Sequence, residues 1–278
     1  MTVAILTDSG SDLTPQALEE NHIRQVPLTV SFGDQSFRSP DELSAAQIWQ
    51  RLRAPDSPFA KTAAPSAGTF KRAFEESFEA GADAIVYVGL SETLSATVKS
   101  AQMAKQMLPG KVIHIVDSRS ASMAIGALAL RGAKMAAAGV SPAEIAAELT
   151  RLRESTILFV ALETLEYLRK GGRISHAEAA IGGLLSIKPI ITVEDGIVVT
   201  ADKPRTRTKA KERVLELLTD RPAEEVHVLF SPPIDELAFR DELLARLPGK
   251  PELVTTQVIG PVIGAHIGPG AYGAVLVR

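Results

Sequence analysis

The first residues of the chain, TVAILTDSGSDLTPQALEE (residues 2–20), join a short apolar run to a helix signal. The run TVAILTDS ends in polar turn residues, a pattern that is typical of a buried strand. In LTPQALEE, Thr14 is the expected N-cap and Pro15 the expected first residue of a helix. This stretch therefore predicts a strand followed directly by a helix, the unit from which α/β domains are built.

The same alternation recurs up to about residue 155. VPLTVSF, DAIVYVGL and KVIHIVDS predict further strands, with helical stretches between them. Ser44 with Gln47 and Ser141 with Glu144 have the capping-box spacing that predicts the starts of two further helices. One of these helices, over residues 121–139, is nearly all apolar and should be buried on most sides. Strands that alternate with helices in this way predict an α/β domain with a largely parallel sheet.

The pattern changes after residue 155. The stretch IKPIITVEDGIVVTAD (residues 187–202) has two β-rich runs around Asp195-Gly196, which predicts a hairpin. Hairpins mixed with helices predict a second, two-layer α/β domain. We expect an N-terminal domain over residues 1–155, a C-terminal domain over residues 156–278, and a ligand site between them.

Composition excludes several classes of protein. The chain has 278 residues, a net charge of −3 and no cysteine, so disulfides, thiolate metal sites and a cysteine nucleophile are excluded. No histidine pair has metal-ligand spacing, and we expect no metal. The longest apolar region is broken by Arg131 and Lys134, so no transmembrane helix is expected. The polar N-terminus does not resemble a signal peptide. We expect a monomeric cytoplasmic protein that binds no nucleic acid.

The stretch GPVIGAHIGPGAYG (residues 260–273) holds one histidine among five glycines and two prolines. Because glycine lets the backbone approach a ligand closely, we expect a rigid loop that presents His266. Residues 268–273 also match the spacing G-x-G-x-x-G. However, a terminal strand follows instead of a helix, which argues against a dinucleotide site. A histidine bonded only to backbone remains an alternative.

Two hydroxyl clusters and one basic run stand out. KTAAPSAGTF places Thr62 in a loop before a helix, and LSETLSATVKSA places Ser95 and Thr97 at a strand-to-helix junction. Such junctions face the ligand crevice of parallel sheets, although plain helix capping explains them equally well. The basic run over residues 203–213 fits a solvated surface, or an anion or partner contact through Arg205.

Seven stretches, taken in order, resemble the DegV family over the whole chain. They are TDSGSDL, VPLTVSF, KTAAPSAGTF, LSETLSATVKSA, VDSRSASMAIG, LRKGGRIS with LLSIKPII, and IGAHIGPGAYG. The resemblance implies two α/β domains that hold a long-chain fatty acid. It also implies that the protein is a carrier, which presents the acyl carboxylate to a separate Dak-type kinase. The acyl phosphate then feeds phospholipid synthesis. No cofactor and no catalytic residue are implied.

The matching positions imply roles for individual residues. Thr62, Ser95 and His266 should contact the carboxylate, with support from Ala96, Thr97, Gly268, Gly270 and Arg173, of which Arg173 shapes the pocket. Arg205 and Arg207 should contact the kinase or the phosphate. The sequence departs from the family pattern at Ala96, where a glycine is usual, and at Ser39, where an aspartate is usual.

Two alternatives to this carrier remain open. The first is a Dak-like enzyme that acts on a small carbonyl or acyl substrate through His266 and Ser95, with Asp8 or Asp117 as the orienting acid. The second is binding of another amphiphile, such as a branched or hydroxylated acid. A long dry tunnel would favour the carrier, and a compact wet pocket would favour the enzyme. Candidate pocket residues lie in ASMAIGALAL, in EAAIGGLLSI and in the stripe of Phe70, Phe74 and Phe78.

Overall fold

The structure is a computed structural model, which describes residues 1–174, 187–234 and 236–278. Within these ranges the strands are β1 (Val3–Asp8), β2 (Ile23–Val26), β3 (Leu28–Phe32), β4 (Gln35–Ser39), β5 (Ala60–Ala63), β6 (Ala84–Gly89), β7 (Val112–Asp117), β8 (Thr156–Ala161), β9 (Ile190–Glu194), β10 (Ile197–Asp202), β11 (Glu225–Phe230), β12 (Leu253–Val258) and β13 (Tyr272–Val277). The helices there are α1 (Pro15–Glu20), α2 (Ala45–Arg53), α3 (Ala67–Glu79), α4 (Thr97–Gln106), α5 (Met123–Ala137), α6 (Pro142–Leu152), α7 (Glu166–Lys170), α8 (Arg207–Leu218), α9 (Glu236–Arg246) and α10 (Pro261–Ile267).

The first sheet is parallel, with the strand order β2-β1-β6-β7. Ile5 of β1 pairs with Ile23 on one side and with Val86 on the other. This arrangement confirms the predicted parallel α/β sheet. The segment VPLTVSF does form a strand, β3, but β3 belongs to a separate antiparallel sheet with the order β4-β3-β5.

The second large sheet is mixed and has the order β10-β9-β8-β13-β11-β12. Strands β9 and β10 form the predicted hairpin. Both turn residues, Asp195 (φ 49°) and Gly196 (φ 80°), have positive φ, as a type I′ turn requires. The helices α8 and α9 cover one face of this sheet.

The predicted helix starts are confirmed in detail. Thr14 accepts a hydrogen bond from the amide of Ala17, and Pro15 begins α1. Ser44 and Ser141 each form a capping box with the residue three positions later. These caps are local, so the sequence alone predicts them.

Buried side chains divide into three clusters. One lies under α3 and α4 on one face of the parallel sheet, and a second lies under α8 and α9. The largest cluster lies between the two large sheets and surrounds α5, which is buried over most of its length as predicted. It draws residues from both halves of the chain, for example Ile5 and Val275.

The chain passes from the parallel sheet to the mixed sheet through α6 and a 3-10 turn at Arg153–Ser155. The two sheets take their strands from either side of this turn. The division into domains at residue 155 remains our proposal, because the largest cluster of buried side chains is continuous across it.

Candidate functional site

A mostly apolar cavity lies between the N-terminal half of the chain and the mixed sheet. Its empty space is about 760 Å³, part of which is open to solvent. Fifteen of its twenty lining residues are apolar, from Leu28 and Leu90 on one side to Val160 and Leu229 on the other. The other five are Thr62, Ser95, Ser122, Arg173 and His266. Mostly apolar cavities with a few convergent polar groups are typical binding sites for small molecules.

Four of these residues, Thr62, Ser95, Arg173 and His266, form what we call the polar end. Thr62 lies on β5, Ser95 between β6 and α4, Arg173 after α7, and His266 in the last turn of α10. Thr62 and His266 are hydrogen-bonded to each other, and Arg173 Nε donates to the carbonyl of Leu94, beside Ser95. Residues that are far apart in sequence are thus brought together at one end of an apolar cavity.

The expected loop around His266 was wrong, because residues 261–267 form the helix α10. The density of glycine and proline in the sequence suggested a loop. However, Pro261 occupies the first turn, where its missing amide hydrogen costs nothing. The helix ends at Gly268, whose φ of 72° suits glycine. Thr62 was likewise expected in a loop, and it lies on β5.

Contacts with the N-terminal half hold α10 in place. Trp49 Nε1 donates to the carbonyl of Ile259 at 3.0 Å, and the amide of Gly260 donates to Asp12 Oδ1 at 3.0 Å. A Cβ atom at Gly264 would lie 2.9 Å from the Trp49 ring, so glycine allows this close packing. The position of His266 is therefore fixed by residues that lie more than 200 positions earlier.

His266 is enclosed on two sides. Its Nε2 atom is 2.8 Å from Thr62 Oγ1. Its Nδ1 atom is buried without a hydrogen-bond partner in the described part of the chain, and a Cβ atom at Gly171 would lie 2.3 Å from it. Burial lowers the pKa of His266 to about 4, and the charge of Arg173 acts in the same direction. His266 is therefore neutral at pH 7.

Arg173 is the charged residue of the cavity wall. Its Nη1 atom donates to the carbonyl of Gly171 at 2.6 Å, and its Nε atom donates to that of Leu94 at 3.2 Å. These two bonds hold the guanidinium group in place and use two of its N–H donors. Since a guanidinium carries five N–H donors, others remain for a ligand.

Ser95 and its neighbours form the start of α4. Ser95 Oγ and Thr97 Oγ1 are 2.7 Å apart. The N-cap, Ala96, offers no side-chain acceptor to the first turn. The first amides of a helix have no partner within the helix, so this end of α4 favours an anion.

Gly268 and Gly270 do not line the cavity. The amide of Gly268 donates to the carbonyl of Gly264, and that of Gly270 donates to the carbonyl of Pro232. These amides hold the end of α10 and the start of the following turn. The two glycines therefore support the site by shaping the backbone after His266, and their amides are not available to a ligand.

Beneath the cavity lies a second set of buried polar residues, Asp8, Asp12, Tyr87 and Ser122, which we call the aspartate cluster. Asp8 accepts hydrogen bonds from the Tyr87 hydroxyl (2.6 Å) and from the amides of Leu90 (2.9 Å) and Gly10 (2.8 Å). Asp12 accepts from the Ser122 hydroxyl at 2.6 Å. From the sequence, Asp8 was expected only as an orienting acid, and Asp12 and Ser122 were not expected at the site. The polar residues that follow β1 were the available signal.

Burial controls the ionisation of both aspartates. It raises the pKa of Asp8, against the effect of its hydrogen bonds to Tyr87, Leu90 and Gly10. It also raises the pKa of Asp12 to about 7, although the bonds from Ser122 and Gly260 favour the charged form.

Comparison with known proteins agrees with this geometry. The sequence model described as "Uncharacterised protein, DegV family" matches residues 2–278. The chain belongs to the DegV family. A DegV domain-containing protein of Streptomyces coelicolor is 37% identical over 281 residues, which cover 99% of this chain and 98% of the relative.

Solved structures of DegV proteins are also similar. A structure that reports fatty acid binding by a DegV family protein from Thermus thermophilus has a TM-score of 0.92 and 34% identity, with complete coverage of both chains. A stearic acid-binding protein from Eubacterium ventriosum has a TM-score of 0.91 and 28% identity, and the match covers 99% of this chain and 98% of that one. Both of these similar structures are thus described as fatty-acid-binding proteins.

The two arginines that resemble the family's basic segment lie on the surface of this DegV chain. Arg207 is exposed and pairs with Glu163 at 3.0 Å. Arg205 is exposed, with no ion pair to any described residue. Neither residue lines the cavity.

The other segments that were predicted to line the pocket differ in whether they reach the cavity. Phe70 and Phe74 are buried residues of α3 and do not line the cavity, and Phe78 packs against the same cluster. From ASMAIGALAL, Ala121 and Ser122 reach the wall. The segment EAAIGGLLSI lies outside the described residues except for Ile187.

Two findings concern other classes of site in this DegV chain. Across residues 1–174, 187–234 and 236–278, no group of three or more acidic or histidine side chains could hold a metal ion. No helix in the same ranges has the length and apolar character needed to span a membrane.

Proposed function

We propose that this protein carries a long-chain fatty acid in the cavity and presents the carboxyl group to a separate Dak-type kinase. The observation that carries the proposal is an apolar cavity closed at one end by hydroxyl, imidazole and guanidinium groups. Fatty acids have the matching chemistry, an apolar chain with one anionic end. The similar structures from Thermus thermophilus and Eubacterium ventriosum support this ligand class.

The chain of the ligand supplies most of the affinity. A sixteen-carbon acid has about 14 methylenes, and burying each contributes about 0.8 kcal/mol, or roughly 11 kcal/mol before the cost of association. The fifteen apolar residues of the wall provide the surface for this burial. The Dak-like enzyme would need a compact wet pocket. The apolar wall of the observed cavity does not match that requirement.

The polar end solves the problem of burying a carboxylate. An unpaired carboxylate in an apolar site costs several kcal/mol. The hydroxyls of Thr62 and Ser95 and the remaining N–H groups of Arg173 supply donors. Because His266 is neutral, the charge-assisted bond comes from Arg173, which gives this residue a larger role than the pocket-shaping one implied by resemblance.

His266 acts on the ligand together with Thr62. Since Nδ1 lies against Gly171 without a partner, the proton of the neutral ring belongs on Nε2, where it donates to Thr62 Oγ1. A buried N–H without an acceptor is rarer than an unused acceptor, which favours this tautomer. The Thr62 hydroxyl then points its own proton towards the carboxylate.

The kinase step extends the proposal beyond the cavity. Its support is the resemblance of KPRTR to the family's basic segment, together with the exposure of Arg205. In this scheme Arg205 and Arg207 contact the kinase or the phosphate, and the protein is a cytoplasmic monomer. Ala96 and Ser39 mark where its anion geometry departs from the family pattern.

The enzyme alternative needs Ser95 and His266 as a nucleophile–base pair. Their hydrogen bonds go elsewhere, from Ser95 to Thr97 and from His266 to Thr62. Of the candidate acids, Asp8 is bonded to Tyr87, Leu90 and Gly10, and Asp117 accepts from the amides of Glu92 and Arg119. The carrier fits these contacts better.

A titration of the delipidated protein tests the proposal. Trp49 is the only tryptophan and packs against α10, so its fluorescence should report binding. Stearic acid should bind at least tenfold more tightly than stearyl alcohol, which lacks the charge. The variant Thr62→Val should reduce that preference, whereas Thr208→Val, at an exposed site on α8, should keep it. Equal affinity for the acid and the alcohol would contradict the role of the polar end.

A further inference from the structure

One hydroxyl group lies in the apolar wall away from the polar end. It belongs to Ser122, which lines the cavity and is the polar lining residue that the carboxylate does not use. Its neighbours belong to the aspartate cluster and not to the polar end. Apart from Ser122 and the polar end, the lining side chains of the described ranges are aliphatic.

The hydrogen bonds that Ser122 makes within the protein leave its hydroxyl oxygen free to accept one from a ligand. Its hydroxyl proton goes to Asp12 Oδ2 at 2.6 Å, its amide donates to the carbonyl of Gly10, and its carbonyl accepts from the amide of Ile125. A serine oxygen can also accept two hydrogen bonds. Ser122 Oγ accepts none from any described residue, so it presents an acceptor to the cavity.

The backbone of Ser122 is strained. Its φ is 58° and its ψ is −145°, a combination that is rare for any residue other than glycine. Its partner Asp12 also has a positive φ, of 54°, and is a buried carboxyl group. Glycine would relieve the strain at position 122 but would remove the hydroxyl. Strain that keeps a polar group in a cavity wall points to a use for that group.

We estimate the separation of Ser122 from the polar end from the length of α10. Asp12 bonds both Ser122 and Gly260, at the start of α10, whereas His266 lies in its last turn. Six residues of helix at 1.5 Å each span about 9 Å. An extended chain of single bonds advances about 3.5 Å per three bonds, so about eight bonds cover this distance.

We propose that Ser122 accepts a hydrogen bond from a hydroxyl group in the middle of the acyl chain, near carbons 8 to 12. The ligand class of the cavity then includes mid-chain hydroxy fatty acids. This inference rests on the proposed function and specifies the chain that the carrier accepts.

The Asp12 carboxylate sets the direction of this bond. Ionised Asp12 takes the proton of Ser122, so the serine can accept from the ligand but cannot donate to it. A mid-chain hydroxyl group is a donor and matches this site. A ketone at the same carbon is only an acceptor, and it would face the lone pairs of Ser122. The site should therefore discriminate between an alcohol and a ketone of nearly the same shape.

The test measures dissociation constants at pH 8 for stearic acid and for its 2-hydroxy, 10-hydroxy, 12-hydroxy and 10-oxo derivatives. Each affinity is divided by the affinity of the same protein for stearic acid. We expect the better of the 10- and 12-hydroxy acids to bind within threefold of stearic acid or more tightly, and the 10-oxo acid at least tenfold more weakly. In Ser122→Ala the relative affinity of that hydroxy acid should fall at least tenfold, because its hydroxyl then has no partner. The same relative affinity in wild type and Ser122→Ala would overturn the inference.

A second variant keeps the test independent of the stability of Ser122→Ala. In Asp12→Asn, the amide nitrogen donates to Ser122 Oγ and frees the serine proton for the cavity. The 10-oxo acid should then gain at least fivefold relative to stearic acid, and no gain would count against the inference. If stearic acid and all its derivatives fail to bind the wild-type protein, both the proposed function and this inference fail. If stearic acid binds but no hydroxy acid approaches its affinity, this inference alone fails.

Discussion

The polar end and the aspartate cluster are both polar groups buried next to the same apolar cavity, but their hydrogen bonds differ. In the aspartate cluster, Asp8 accepts three bonds and Asp12 accepts two, all from the protein itself. At the polar end, Arg173 gives only two of its five N–H donors to described residues, the carbonyls of Leu94 and Gly171. A satisfied cluster stabilises the fold, whereas an unsatisfied one has capacity left for a ligand.

The difference implies that substitutions in the two clusters affect different measurements. Changes in the aspartate cluster should alter the free energy of unfolding, and changes at the polar end should alter affinity for a fatty acid. Ser122 belongs to the first cluster and faces the cavity of the second, so it links the two.

The largest effect should follow Asp8→Ala. This change leaves the Tyr87 hydroxyl and the amides of Leu90 and Gly10 without their acceptor in a fully buried site. We expect a loss of about 3–5 kcal/mol in the free energy of unfolding, measured by denaturant titration. The control Asp56→Ala, in an exposed loop, should change it by less than about 0.5 kcal/mol. A loss below about 1 kcal/mol for Asp8→Ala would break the contrast between the clusters.

The next effect concerns pH and Asp12. Its folded-state pKa of about 7 lies above the ordinary value of 3.8, so the folded protein prefers the neutral form. Its contribution to stability is therefore greatest at low pH, is lost as pH rises from about 4 to about 7, and is constant above that. Asp12→Asn stays neutral, so its stability relative to wild type should rise by about 2–3 kcal/mol between pH 5 and pH 8. Denaturant titrations at both pH values would show this rise, and a difference that does not change with pH would contradict it.

Arg173→Gln should give the largest effect on binding. Hydrogen bonds to charged groups contribute about 1.5–3 kcal/mol, so the affinity for stearic acid should fall about tenfold to a hundredfold. The affinity for stearyl alcohol should change far less, because the alcohol has no charge to pair. Arg169→Gln, on the exposed face of α7, is the matched control. Equal losses for the acid and the alcohol would show that Arg173 only shapes the pocket.

His266→Ala should have a smaller effect on binding, of about tenfold, because it removes the bond that orients the Thr62 hydroxyl. The loss should be nearly constant between pH 5.5 and pH 8, since the histidine is already neutral over that range. His22→Ala, near the protein surface, is the control. A loss that appears only below pH 6.5 would mean that a protonated His266 binds the carboxylate.

Local signals in the sequence predicted much of the fold. The hairpin turn at Asp195 and Gly196 and the caps at Thr14, Ser44 and Ser141 depend on neighbouring residues, and all of them were predicted. The short strands β2, β4 and β5 were missed because they carry few apolar residues. The helix α10 was missed because tertiary contacts with Trp49 and Asp12 support its glycine-rich sequence.

Less of the candidate site than of the fold could be predicted from the sequence. Thr62, Ser95 and His266 were selected through resemblance to a family, since no spacing rule links residues so far apart. The neutral state of His266 depends on burial by Gly171 and other residues, which a sequence does not show. Asp12 and Ser122 were missed because their bond joins positions 110 residues apart.

The most direct test of the central claim is mass spectrometry of the purified protein, first under native conditions and then after denaturation and solvent extraction. We predict one fatty acid per chain, released only on denaturation and identified by its mass. Extraction of a mid-chain hydroxy acid would also support the role of Ser122. A native mass equal to that of the bare chain, with no uptake of added stearic acid, would contradict the account of the cavity as a fatty-acid site.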